Sequence, residues 1–170
     1  DIMAQGRMPE EIVNALALSQ ITALRKENGR VRGIAAADTF RRLVTKAVAR
    51  QKQEALRRAI WPYNFGLSNR SGTDTAVHFL QHLTDAHPEH VVLSIDGIGA
   101  FDHVRRASML RKLHSLPEAR AALPFVRLSY GSATEYVWTD QQGQDHVITQ
   151  AEGGEQGDPL MPLLFALGIH

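Results

Sequence analysis

Two carboxylates, Asp96 and Asp102, sit in a run of β-formers and glycines from Val91 to Val104, VVLSIDGIGAFDHV. A second glycine-rich run, Gly153 to Pro159 (GGEQGDP), precedes an apolar stretch near the C-terminus. Carboxylate oxygens held rigidly at a strand's end suit a hard divalent cation. The backbone around Gly97 and Gly99 is unencumbered, so its amide groups can approach an anionic ligand closely. Glycines ahead of a helix N-terminus let main-chain donors and the positive helix end face a phosphate or a base. Each run also has a purely structural explanation, because Asp favours caps and turns, and Asp158 followed by Pro159 is a helix start in its own right. A third set, Asp74, His78 and His82, repeats every four residues on one helical face, a spacing that can bind a metal. The intervening run, HFLQH, lacks the Glu of a metalloprotease helix, and an exposed polar face explains it equally.

Apolar spacing predicts the elements that must position these groups. Ile12, Val13, Leu16, Ala17, Ile21 and Leu24 follow Pro9-Glu10-Glu11 at helical spacing and predict one helix ending before Asn28-Gly29. Asn28-Gly29 is a turn signal, and a short β element around Val31 and Ile34 would project Arg25, Lys26, Arg30 and Arg32 from a hairpin. Asp38 or Thr39 caps the next helix, which runs to about Ile60 with Phe40, Leu43, Val44, Ala47 and Val48 as its buried stripe. Trp61 to Gly72 reads as a loop, followed by a helix from about Asp74 to Asp85 that Ser71 or Thr73 can cap. The Val91 run is then a strand with Asp96 at its end, followed by a surface helix carrying Arg105, Arg106, Arg111 and Lys112. A helix from about Glu118 to Tyr130 is interrupted at Pro124, and Glu135 to Thr139 and His146 to Thr149 flank a Gly-containing hairpin loop. The last helix begins near Pro159.

The 170 residues suffice for one domain with a real core, and a content of 44% hydrophobic and 22% charged residues is that of a globular chain. No apolar run approaches the roughly 20 residues of a membrane span. The absence of cysteine excludes disulfide scaffolds and thiolate metal sites and fits an intracellular compartment. Net charge is +1, but residues 25–58 carry 11 Lys/Arg against 3 Asp/Glu, an excess of +8 balanced by −7 elsewhere. That concentration suits a phosphate-binding surface, and a solvated helix face is the plain alternative. The chain starts at Asp1 and stops inside an apolar helical run, so it is expected to be an excerpt of a longer protein.

Order and flanks make the combination specific. Asp96-Gly97-Ile98-Gly99-Ala100-Phe101-Asp102 resembles the first palm motif of the reverse transcriptase domain of non-LTR retrotransposons, a metal-binding Asp followed by Ala-Phe-Asp. Gln156-Gly157-Asp158-Pro159-Leu160-Met161-Pro162 is similar to that family's Gln-Gly-Asp/Ser-Pro-Leu-Ser-Pro motif. Lys26 to Ile34, followed by Phe40-Arg41-Arg42-Leu43, is similar to its fingers motifs. The resemblance extends from about residue 20 to the end. Gly33 stands where Pro is usual, and Met161 where a small residue is common.

The resemblance implies an α/β fold in the α+β sense, helix-rich with a small antiparallel sheet. Residues 1–90 would be fingers and connection and residues 91–170 a partial palm, in one structural unit. By the same resemblance Asp96 ligates catalytic Mg2+ and Phe101 packs under the sugar of a deoxynucleoside triphosphate. Lys26, Arg32 and the backbone of Gly99 and Ala100 meet the triphosphate, Gln156 and Gly157 line the nucleotide pocket, and Arg41 and Arg42 contact nucleic acid. The reaction implied is nucleotidyl transfer to a DNA primer on an RNA template by a two-metal mechanism, with the rest of a parent polyprotein as partner. The family's remaining carboxylates lie in a Tyr-x-Asp-Asp hairpin that this chain does not include, so the fragment alone is expected to be inactive. The alternatives are a non-catalytic nucleic-acid-binding remnant of a retroelement and a helical interaction domain without a nucleic-acid role.

Overall fold

The computed structural model describes residues 2–62, 64–68 and 70–170. Among them the chain runs through α1 (Glu10–Ala17), β1 (Ser19–Arg25), β2 (Val31–Ala36), α2 (Thr39–Ile60), α3 (Phe65–Ser68) and α4 (Gly72–Ala86). It continues through α5 (Ala100–His103), α6 (Arg106–Ser115), α7 (Leu123–Tyr130), β3 (Thr134–Thr139), β4 (Asp145–Gln150) and α8 (Met161–Ile169). The fold is α+β: among the described residues helices dominate around one small four-stranded sheet.

Asn28-Gly29 makes the first hairpin. Gly29 takes φ +78°, the left-handed conformation that glycine adopts without a Cβ clash, and the Lys26 N–H donates to the Arg30 carbonyl at 2.8 Å. β1 and β2 then pair antiparallel from Gln20↔Ala36 to Arg25↔Val31. The second hairpin, β3 and β4, closes over Asp140, whose Oδ1 accepts from the Gln142 and Gln144 amides at 2.9 Å each. The expected small antiparallel sheet is in fact mixed, with order β2-β1-β3-β4. Two antiparallel hairpins are joined by a short parallel contact, Ser19↔Tyr136 and Gln20↔Val137.

Further expectations change, and the stretch expected as a loop from Trp61 to Gly72 contains the short helix α3. The first helix stops at Ala17, and Ile21 and Leu24 belong to β1 rather than to a helical stripe. Pairing with β2 satisfies the backbone of that segment, so the ladder outweighs a helical pattern that is a weak prior. In α2 the buried positions are Arg41, Thr45, Val48, Leu56 and Ile60, whereas Phe40 and Leu43 are 71% and 65% exposed. Val91 to Ile95 lies outside any strand, with Val91 92% exposed, so Asp96 does not end a central strand. A strand exists only with a ladder partner, and none of the four strands pairs with this segment.

The core lies where α6, α7 and α8 meet α2. Met109 and Leu113 are fully buried against Leu164 and Leu167, with Leu56 and Ile60 from α2 and Phe125 and Val126 from α7. Each such side chain contributes about 1.5–3 kcal/mol. Pro124 lies in the first turn of α7, after a 3₁₀ turn over Arg120–Ala122, and so begins a helix where it would break one. No helix among the described residues is long and apolar enough to cross a membrane.

Asp38 is the cap of α2: its Oδ1 accepts from the Phe40 amide at 2.8 Å and the Arg41 amide at 3.4 Å. Asp38→Ala is expected to destabilise the protein by about 1 kcal/mol in urea unfolding, and Thr39→Ala to change it by much less.

Candidate functional site

Backbone hydrogen bonds bring the two glycine-rich runs together. The Gly153 amide donates to the Val104 carbonyl and the Gly154 amide to the Phe101 carbonyl, each at 2.8 Å. These bonds lay the 153–157 loop along α5. Glycine is required at Gly153, where a Cβ would overlap the Asp102 carbonyl, and a Cβ on Gly154 would have to displace the Met161 side chain. Gln156 follows directly and faces the same opening as α5.

That opening is a cleft of about 660 Å³. One wall is the β1–β2 hairpin, with Lys26, Arg30, Arg32 and Gly33; the other is the 96–103 segment, with Asp96, Gly99, Ala100, Phe101, Asp102 and His103. Gln156 lines it as well. Phe101, which lines the cleft, is half-buried, and its ring is held by packing tilted against Phe165 of α8 at 4.9 Å between centroids. Gly99 takes φ +60°, and the Asp102 amide donates to its carbonyl at 2.8 Å, forming the turn that carries Asp102. Three cationic side chains and two carboxylates therefore line the same cleft. Oxygen donors suit a hard divalent cation, and the cations suit the phosphates such an ion accompanies.

Seven of the residues expected to act together, Lys26, Arg32, Asp96, Gly99, Ala100, Phe101 and Gln156, line this one cleft. Gly157 does not line it; it takes φ +126° and lies against the Ala35 carbonyl. Arg42 is exposed on α2 and also stands outside the cleft. Arg41 corrects its expected role. It is 2% exposed and ion-paired to Glu155, Nη2 to Oε1 at 3.0 Å, so its charge is directed inward to a carboxylate and away from any polyanion. Arg30 and Asp102 join the cleft, and their signal was already in the sequence as the hairpin's basic cluster and the paired acid. His103 enters only through the short helix α5, which nothing in the spacing marked. Asp74, His78 and His82 are exposed on α4 and do not form a metal-ligand cluster.

Beneath the cleft lies a buried polar network. The Tyr130 hydroxyl donates to Asp158 Oδ2 at 2.6 Å, while Asp158 Oδ1 accepts from the Leu160 amide at 2.8 Å. Asp158 is thus a buried turn former leading into α8. Arg106, expected on a surface helix, is 4% exposed: its Nε donates to the Gly153 carbonyl at 2.8 Å, its Nη2 to Thr134 Oγ1 at 2.9 Å and its Nη1 to the Ser132 carbonyl. The same guanidinium stands 5.4 Å over the Tyr130 ring. Burial pushes the Glu155 carboxyl above its usual range, and Arg41 opposes this without reversing it. Desolvation acts to lower the Arg41 pKa, but the charges of Glu155, Tyr130 and Asp158 outweigh it and hold the guanidinium protonated. Burial and then Asp158 push the Tyr130 phenol well above its ordinary value.

No protein-family model matches the chain.

Removing one member of a buried ion pair leaves a charge without its counter-ion. Arg41→Met should therefore lower unfolding free energy by about 3–5 kcal/mol, and Arg41→Met with Glu155→Leu should lower it by clearly less than the two single changes combined. Tyr130→Phe should lower stability near neutral pH by about 1–2 kcal/mol. Its folded pKa lies above the unfolded value of about 10, so the phenol's contribution is complete below about pH 10 and is lost as pH rises through the folded pKa. Denaturant unfolding followed between about pH 9 and 11 should show a steeper loss in the parent chain than in Tyr130→Phe.

Proposed function

We propose that the chain is part of an RNA-directed DNA polymerase of the non-LTR retrotransposon type, and that its cleft receives the triphosphate of a deoxynucleotide. One observation carries the reading: the cations of the β1–β2 hairpin and the carboxylates of the 96–102 segment line the same 660 Å³ cleft, with Gln156 beside them. Composition made the first basic and the second acidic; their confrontation is what a metal–triphosphate complex requires.

In this reading Lys26, Arg30 and Arg32 neutralise phosphate oxygens, Arg by planar paired donors and Lys as a point charge. Asp96 and Asp102 supply the oxygen donors that Mg2+ prefers, and an ion held there would offset charge developing on the phosphates during nucleotidyl transfer. Phe101, which lines the cleft, would pack against the sugar of a deoxynucleotide and exclude an extra hydroxyl. The reading implies an RNA template and a DNA primer as partners and an intracellular location, nuclear or cytoplasmic.

Equilibrium binding of a fluorescent deoxynucleoside triphosphate tests it. Binding should require Mg2+ and weaken about tenfold or more in Asp96→Asn and in Lys26→Ala with Arg32→Ala, about 1.4 kcal/mol or more in each case. Binding indifferent to both Mg2+ and Asp96→Asn would sink the reading. The second reading, a non-catalytic nucleic-acid-binding remnant, is favoured by a different observation: Lys46, Arg50 and Arg57 line a groove of about 270 Å³ between α2 and the start of α8. It predicts RNA or DNA binding that falls steeply with salt and ignores Asp96→Asn.

A further inference from the structure

The turn after α4 gathers a second, chemically different set of donors. His87 ends the helix with its amide bonded to the Leu83 carbonyl at 2.9 Å, and the His90 amide donates to the His87 carbonyl at 3.0 Å. Pro88 and Glu89 are the central residues of that turn, and Pro at its second position fixes φ in advance. The two imidazoles consequently stack, with centroids 4.7 Å apart and planes 17° apart. Glu89 Oε1 lies 3.4 Å from His87 Nδ1 and 3.5 Å from His90 Nε2.

We infer that His87, Glu89 and His90 form a binding site for a divalent transition-metal ion of the Zn2+ class. One ligand atom from each residue lies within 4.8 Å of the other two. Two bonds of about 2.1 Å at the tetrahedral angle put their donors about 3.4 Å apart, the spacing between the Glu89 oxygen and each imidazole nitrogen. Exposed His–Glu attraction is weak, so the proline turn, more than ion pairing, holds the three side chains in register. Two nitrogens and one oxygen suit zinc and disfavour magnesium, which takes oxygen ligands; the site therefore differs in kind from the carboxylates of the cleft. All three residues are exposed, which leaves a fourth coordination position open to solvent. His90 leads straight into the unpaired Val91–Ile95 segment, so a bound ion would anchor the start of the chain that carries Asp96. The inference does not depend on the polymerase reading.

Titration of the 170-residue chain with Zn2+ against a chromophoric zinc indicator, in millimolar Mg2+, tests it. One ion per chain should bind, and affinity should fall about tenfold or more in His87→Ala, His90→Ala and Glu89→Gln, with circular dichroism unchanged because these side chains are exposed. His78→Ala with His82→Ala should bind as the parent does. Absence of zinc binding, or binding that survives His87→Ala with His90→Ala, overturns the site, and so does loss of binding in the His78 and His82 variant.

Discussion

Arg106 directs every nitrogen of its guanidinium at the chain's own oxygens, and the candidate site depends on where that puts the Gly153 carbonyl. A buried guanidinium without partners would be strongly unfavourable, so its position and those of Gly153, Ser132 and Thr134 are decided together. Its backbone amide adds a bond to Glu152 Oε2 at 2.7 Å. Helix α6, the turn after α7, strand β3 and the 152–154 loop therefore share one charged anchor. Arg41 does the corresponding work from α2, reaching Glu155 in the same loop.

The loop between these two arginines has little freedom left. Gly153 lies against the Asp102 backbone where no side chain fits, Gly154 packs on the Met161 side chain, and the loop's end is set by Asp158 under the Tyr130 hydroxyl. Gln156 is the residue of this loop that lines the cleft. The cleft's deep side thus consists of a rigid loop on a buried polar base. Its outer walls, the β1–β2 hairpin and the 96–99 segment, are held more lightly: Lys26, Arg30, Arg32 and Asp96 are exposed. Such a contrast suits a site in which a charged ligand completes the contacts between its walls.

Much of this was legible in the chain. Asn28-Gly29, the Asp140–Gln144 loop, the Asp38 cap and the proline restarts are local chemistry, acting over a few residues, and each appears where the sequence puts it. The acidic and glycine-rich runs, and the basic segment ahead of them, also showed which residue types a phosphate and metal site would draw on. Helical periodicity failed where a polar residue faced inward. Phe40 and Leu43 looked like core and are exposed, whereas Arg41 and Arg106 looked like surface and are buried.

The sequence by itself determined the turns, the caps, the segregation of charge and the chemistry available at Asp96, Asp102 and the hairpin cations. Tertiary structure alone decided that Arg41 and Arg106 turn inward, that Val91 to Ile95 lacks a ladder partner, and that hairpin, α5 and Gln156 open on one cleft. The reason is physical. Turn and cap preferences are worth about 1 kcal/mol and are complete within a few residues. The burial of a charge or the formation of a strand depends on a partner far along the chain, and neighbouring residues do not specify that partner.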